Sequence, residues 1–353
     1  MALSKITSAS ITDGTIANTD VADSTLTTTK LATPNLGRRN VLINGNFDVW
    51  QRGTSLSAAG FITDRWRSTT GLNGAMTISR QSFATGQTDV PNNPKYFFRH
   101  AQTTAHTNTG YNHDRQRIEG VETLAGKVCT LTWYMKADAS RTIAVRRIQN
   151  FGTGGSPSAS VDTQILASQT ITTSWVKYTL TFTMPSINGK TIGTNNNDYV
   201  EIGFDYGAEA NNTYTIDIAQ VQLEANSQAT PFEHRTFAEE LSACQRYYVR
   251  AGGANYASIF GLGGIANTTG SWYGLGYVPV PMRTGFTLIQ SGGSPRIQNG
   301  QAGFTASSIS MSLQATNMTG LSAGCNASGL TLYRWHNMDA SSNATLFELD
   351  AEL

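Results

Sequence analysis

The first pattern along the chain is a row of aliphatic residues with a period of five. Ile6, Ile11, Ile16, Val21, Leu26 and Leu31 are separated almost entirely by Ser, Thr, Asp, Asn and Ala. A helix repeats every 3.6 residues and a flat strand every 2, so neither puts this row on one face. The spacing suits a coil of short turns stacking its aliphatic side chains. It equally suits an extended segment wound about the same segment of neighbouring subunits. Both arrangements need a partner surface; the remaining alternative is a solvated polar arm with accidental spacing. Residues 1–38 therefore read as an attachment and assembly arm, and Thr33-Pro34-Asn35-Leu36-Gly37-Arg38-Arg39 breaks the repeat and reads as a linker.

From Asn40 the period changes to two. Val176, Tyr178, Leu180, Phe182 and Met184 alternate with Lys177, Thr179, Thr181 and Thr183. Leu131, Trp133 and Met135 make a second apolar face, and Val200, Ile202, Phe204 and Tyr206 a third. Tyr214, Ile216 and Ile218 pass to Val221 and Leu223 with a one-residue slip, which predicts a bulge at Ala219-Gln220. Asn40 to Ile43 predicts a strand turning at Asn44-Gly45. Short strands separated by Gly/Asn/Ser-rich loops predict a jelly-roll β-sandwich over residues 39–235.

Thr236 and Glu239 form a capping box, and Phe237, Leu241, Cys244 and Tyr248 recur at helical spacing. A short connecting helix is expected within 236–252, with Arg246 and Arg250 in its last turn and Gly252-Gly253 ending it. Its stripe suits a helix laid on the sandwich or a three-helix neck. Residues 253–353 read as a C-terminal β domain. There Trp272–Val280 is aromatic and Gly-rich, and Pro279 and Pro281 mark an edge strand or a strand end. Phe347, Leu349, Ala351 and Leu353 alternate with acidic residues as a last strand. The fold class is all-β.

Composition agrees with this. Charged residues make up 14% of the 353 positions, against about 25% in an average globular chain. A net charge of +1 gives no field that would draw nucleic acid. No signal-peptide pattern or membrane-length apolar run is present, so synthesis in a cytoplasm without membrane insertion is expected. Cys129, Cys244 and Cys325 lack metal-ligand spacing and read as free thiols. His100, His106 and His113 recur at intervals that suit neither one helix face nor one strand face. No Gly-x-Ser-x-Gly elbow occurs, and Gly261-Leu262-Gly263-Gly264 lacks the Lys-Ser/Thr of a phosphate loop. A non-enzymatic protein is expected.

Two passages resemble a domain of phage and prophage tail-fibre proteins. One is Asn44-Gly45-Asn46-Phe47-Asp48-Val49-Trp50-Gln51-Arg52-Gly53-Thr54 with Phe61-Ile62-Thr63-Asp64-Arg65-Trp66. The other is Gln222 to Arg235, running into Phe237–Tyr248. The five-residue arm is similar to the attachment segments of such fibres. The resemblance covers roughly residues 1–250. It implies a carbohydrate-binding-module-like jelly roll, a homotrimer, and other virion proteins as partners of the arm (Ile6 to Leu31). It further implies a host-surface glycan as ligand and a place in the virion, on a tail fibre or the capsid surface. Such modules often hold a structural calcium, and the matching positions are Asp48 and Asp217; no other cofactor is expected. Sugar recognition needs flat rings beside forked polar groups. Trp50, Arg52, Tyr96, Arg99, Tyr111 and Asp114 have that chemistry, whereas Asp64-Arg65-Trp66 also reads as an ion pair beneath a core Trp. The expected function is a receptor-binding fibre or adhesin. The alternatives are a head-decorating virion protein without glycan affinity and a tailspike depolymerase.

Overall fold

The structure, a computed structural model, describes residues 38–108, 110–207, 212–313 and 319–353. The chain divides into two compact units, Met1–Arg39 and Asn40–Leu353. The aliphatic row at Ile6, Ile11, Ile16, Val21, Leu26 and Leu31 lies outside the described residues.

In the second unit the alternating segments form strands: β1 (Ser55–Leu56), β2 (Gly60–Phe61), β3 (Arg67–Thr70), β4 (Met76–Ser82), β5 (Tyr96–Gln102) and β6 (Asn112–Glu119). They continue as β7 (Val128–Ala137), β8 (Arg141–Asn150), β9 (Val161–Ile171), β10 (Val176–Thr183), β11 (Tyr199–Asp205) and β12 (Tyr214–Glu224). Two six-stranded antiparallel sheets face each other, in the orders β1-β4-β5-β12-β7-β10 and β2-β3-β6-β11-β8-β9. From β5 onward the chain crosses repeatedly between them, as in a jelly roll. Leu131, Trp133, Met135, Val200, Ile202, Phe204, Ile216 and Ile218 fill the gap and are almost wholly buried. Each such burial stabilises by roughly 1.5–3 kcal/mol relative to exposure. The register of β12 on β7 shifts between Ala219 and Gln222, where the slip in the sequence falls.

The strand expected at Asn40–Ile43 does not form. Positive φ angles at Asn44 and Phe47 break the ladder. Single bonds tie the segment to β12 instead, from Val41 N to Leu223 O and from Val221 N to Gly45 O. The Asn44 amide organises the rest, donating to Val49 O and Thr63 Oγ1 while its own oxygen accepts from Val49 N.

Helix α1 (Phe237–Gln245) starts with the capping box at Thr236 and Glu239. Its buried Glu240 and Cys244 face the sandwich, and Asn44 N donates to Glu240 Oε1 at 2.5 Å. This is the laid-on arrangement. The helix is shorter than expected, and neither Arg246 nor Arg250 sits in its last turn. Tyr248–Gly252 leaves as strand β13, because its backbone pairs over five residues with the last strand. The chain goes on through β14 (Ser258–Thr268), β15 (Ser271–Tyr277), β16 (Thr287–Ser291), β17 (Arg296–Gln298) and β18 (Gly303–Thr305). It ends with β19 (Ser307–Leu313), β20 (Gly320–Asn326), β21 (Trp335–Asp339) and β22 (Leu346–Asp350).

A three-stranded sheet, β13-β22-β16, and a seven-stranded one, β18-β17-β21-β14-β15-β20-β19, enclose a second core around Trp272, Leu262, Met338 and Phe347. The aromatic strand β15 is thus interior, and Pro279 and Pro281 lie beyond its end. All three cysteines are buried and free: Cys129 on β7, Cys244 in α1 and Cys325 on β20. Among the described residues no helix is long and apolar enough to cross a membrane.

Candidate functional site

The structure disperses the residues that the sequence nominates for sugar contact. Asp114 is a correction. On β6 it points between the sheets and is buried, accepting from Ser68 Oγ at 2.5 Å and lying 3.0 Å from His100 Nδ1. Asn112 Nδ2 donates to the other ring nitrogen of His100, so the Nδ1 proton goes to Asp114. In this Ser–Asp–His chain the carboxylate stands between hydroxyl and imidazole, the wrong order for activating a nucleophile.

Arg52 is a second correction. Its guanidinium lies 3.6 Å from the Tyr248 ring centroid and 3.3 Å from both Asp350 and Glu352. It joins the jelly roll to the β13–β22 sheet. Arg65 does the same, stacking on Tyr247 and pairing with Glu352. The ion pair expected within Asp64-Arg65-Trp66 is therefore made with a residue far along the chain. Asp64 instead accepts from Gln51 N and Gln51 Nε2.

Trp50 and Tyr96 come together with Asp48 in an open groove of about 1100 Å³, beside Arg80, Lys95 and Phe237. Their rings are largely engaged. Trp50 donates from Nε1 to Phe47 O at 2.5 Å and stacks on Phe98. Arg80 and Lys95 lie 4.3 and 5.0 Å from the centre of the Tyr96 ring. Tyr111 is half exposed and stacks on His113, which bonds Asp205 at 2.8 Å. Arg99 is fixed in a fork on Asp217, at 2.6 and 2.8 Å.

That fork bears on the calcium expected at Asp48 and Asp217. Both Asp217 oxygens are taken by Arg99, with Lys136 at 3.8 Å, so a second cation there would meet two positive charges. Asp48 accepts from Asn46 Nδ2 instead, and burial pushes its carboxyl up against the pull of Asn46, His234 and Lys95. The pair does not fit a calcium ion. Among the described residues no group of three or more His, Cys, Asp or Glu is placed to hold a metal.

The surface best suited to sugar lies on the C-terminal domain, among residues not nominated from the sequence. On the outer face of the seven-stranded sheet, Trp335, Ile265 and Tyr273 stand in cross-strand register, followed by Gly324. The next row is Asn337, Gly263, Leu275, Ser322 and Ser312, and Tyr277 opposite Gly320 lies beyond it. Tyr273, Tyr277 and Trp335 are 60%, 70% and 61% exposed. Glycines make room for the rings: a Cβ at Gly263 would overlap the Trp335 indole, and one at Gly324 would press on Tyr273. The result is an aromatic trough of about 1120 Å³. Polar groups lie beside the rings, including the Ser312–Ser322 hydroxyl pair and Asn337, which accepts from Trp335 Nε1 at 2.9 Å. The sequence signal was present in Trp272–Val280, but Trp272 points inward while Tyr273 and Tyr277 point out.

No family model and no curated protein matches the chain. Among solved structures it is similar to the enzymatically active domain of tailspike protein 4 of bacteriophage CBA120. That match has 14% identity and a TM-score of 0.33, over 52% of this chain and 21% of that one. It is also similar to a xylan-binding domain from Paenibacillus barcinonensis, with 14% identity, TM-score 0.30 and coverage of 50% and 94%. The N-terminal cellulose-binding domain of a Cellulomonas fimi β-1,4-glucanase is a third, with 16% identity, TM-score 0.31 and coverage of 50% and 98%. The tailspike match thus spans about a fifth of that chain. Likeness this slight fixes no ligand; the description of the fold rests on the strand order itself.

Proposed function

We propose that the chain is a non-enzymatic, glycan-binding subunit of a bacteriophage fibre, and that the trough on its C-terminal sheet meets the saccharide. The observation that carries this reading is the cross-strand array of Trp335, Tyr273 and Tyr277 standing largely exposed on a glycine floor. Exposed rings of this size in contiguous register mark an interaction surface. Flat rings receive the C–H face of a pyranose, and hydroxyl and amide groups alongside take its hydroxyls. In this reading residues 1–38 attach the subunit to other virion proteins and wind three copies together. Three weak sites then act at high effective concentration on one polysaccharide.

Retention of the purified full chain on host-surface polysaccharide tests the reading. Trp335→Ala with Tyr273→Ala should lower retention at least about tenfold while leaving the melting temperature of the chain unchanged. Unaltered retention in a folded double variant rejects the trough. Release of oligosaccharide by the wild type would instead make the protein a depolymerase.

A further inference from the structure

The trough is as distinctive in charge as in its rings. Residues 251–282 and 297–333 contain no Asp, Glu, Lys or Arg. Those two runs supply β14, β15, β18, β19 and β20. In the other two strands of the sheet, β17 and β21, the charged side chains are Arg296 and Asp339. They fork onto each other at 3.1 and 3.0 Å. Arg334, one position before β21, donates to Gln301 Oε1 at 3.0 Å. His336 is wholly buried on the opposite face of the sheet. Among the described residues, those lining the trough include no charged side chain.

The rings are also spread out. Trp335 leans over Gly263 and Tyr273 over Gly324, which leaves each with one face to solvent. Trp335 and Tyr273 stand two strands apart, about 9.5 Å, and Tyr277 lies four residues beyond Tyr273, about 13 Å. One pyranose does not bridge such gaps, so the rings stack on separate sugars of one chain. The strands beside Tyr273 offer hydroxyls: Ser312 and Ser322 are paired at 2.9 Å, and Ser310 donates to Gly324 O at 3.4 Å. A hydroxyl both donates and accepts, as the hydroxyls of a sugar require. A carboxylate pressed onto this surface would lose its water and meet no cation.

We infer that the trough selects an uncharged polysaccharide, seated as an internal run of several neutral pyranoses, and rejects a chain whose sugars carry carboxylates there. This rests on the glycan-binding reading and names the class of sugar for it.

The test passes the full chain over immobilised host-surface polysaccharide, native and after reduction of its carboxyl groups to alcohols, each at low and high salt. Retention should be at least as great on the reduced form, and should change less than about twofold with salt, because no ion pair is there to be screened. Oligosaccharides cut from the reduced polymer should compete at least about tenfold better than its monosaccharides, as rings stacking on separate sugars require. A loss of about tenfold or more on reduction, or on adding salt, overturns the uncharged class; the trough itself survives that result if Trp335→Ala with Tyr273→Ala still abolishes retention. Monosaccharides competing as well as oligosaccharides overturns the extended run. Retention on neither form rejects glycan binding as a whole. A folded double variant that keeps full retention but changes oligomeric state in light scattering makes this face a contact between copies and overturns the inference.

Discussion

At Asp114 one carboxylate serves donors from both sheets, Ser68 on β3 and His100 on β5. Removing it would strand two buried polar groups, each costing about 1–3 kcal/mol unpaired. Asp114→Ala should therefore destabilise the chain by about 3 kcal/mol in urea unfolding, and Asp114→Asn by less, because an amide still accepts from Ser68. The same residue explains why the sequence misled. In β6 the inward positions are Asn112, Asp114 and Gln116, and the outward ones His113, Arg115 and Arg117. With both faces polar, the period-two signal that gave β7, β11 and β12 disappears. Asp114 then looked like a surface group. Arg52 misled for another reason: its partners Asp350 and Glu352 lie some 300 positions away, where no local pattern points to them.

Among the elements, the glycine-rich strands of the C-terminal sheet are shaped by rings rather than by turns. Gly274 on β15 faces the core, and a Cβ there would overlap the indole of Trp272, a fully buried residue. Gly274→Ala should cost about 2 kcal/mol, typical of overpacking, read as a fall in melting temperature. Helix α1 offers a milder contrast. Thr236→Ala removes the side-chain oxygen that accepts from Glu239 N and should cost about 1 kcal/mol by the same measurement. The start of α1 was legible because a capping box is local chemistry. Its end was not, since Tyr248 continues the helical spacing although β22 claims its backbone. Likewise the strand expected at Asn40–Ile43 had the right side chains, and the Asn44 and Phe47 dihedrals overrode them.

At the scale of the whole described unit, jelly roll and C-terminal sheets are joined through Arg52, Arg65 and the pair Arg246–Glu119, whose two hydrogen bonds are both 2.9 Å. Burial pushes the Glu119 carboxyl up, but hydrogen bonds from Arg246 and Tyr247 outweigh it, and the carboxyl ends below its ordinary value of 4.5. A depressed carboxyl stabilises the fold above its unfolded value, and that contribution is lost as pH falls through the folded one. Melting curves of wild type and Glu119→Gln should therefore differ near neutrality and approach each other as pH falls below the ordinary carboxyl value of 4.5. A gap that stays constant with pH would show that the pair does not couple to protonation. The sequence held both residues, but their meeting across 127 positions is a product of the topology.

The buried thiols report on this architecture from three places. Burial pushes Cys129 up to about 11 and Cys325 to about 12, and Cys244 is also raised far above the ordinary thiol. Only the thiolate attacks an alkylating reagent or a disulfide. The native protein should thus be silent to both, and indifferent to passage from a reducing to an oxidising medium. Each cysteine reacts only when its own surroundings open. Alkylation followed by mass spectrometry would give separate opening rates for the sandwich, the helix and the aromatic sheet, three clocks already present in the unmodified chain.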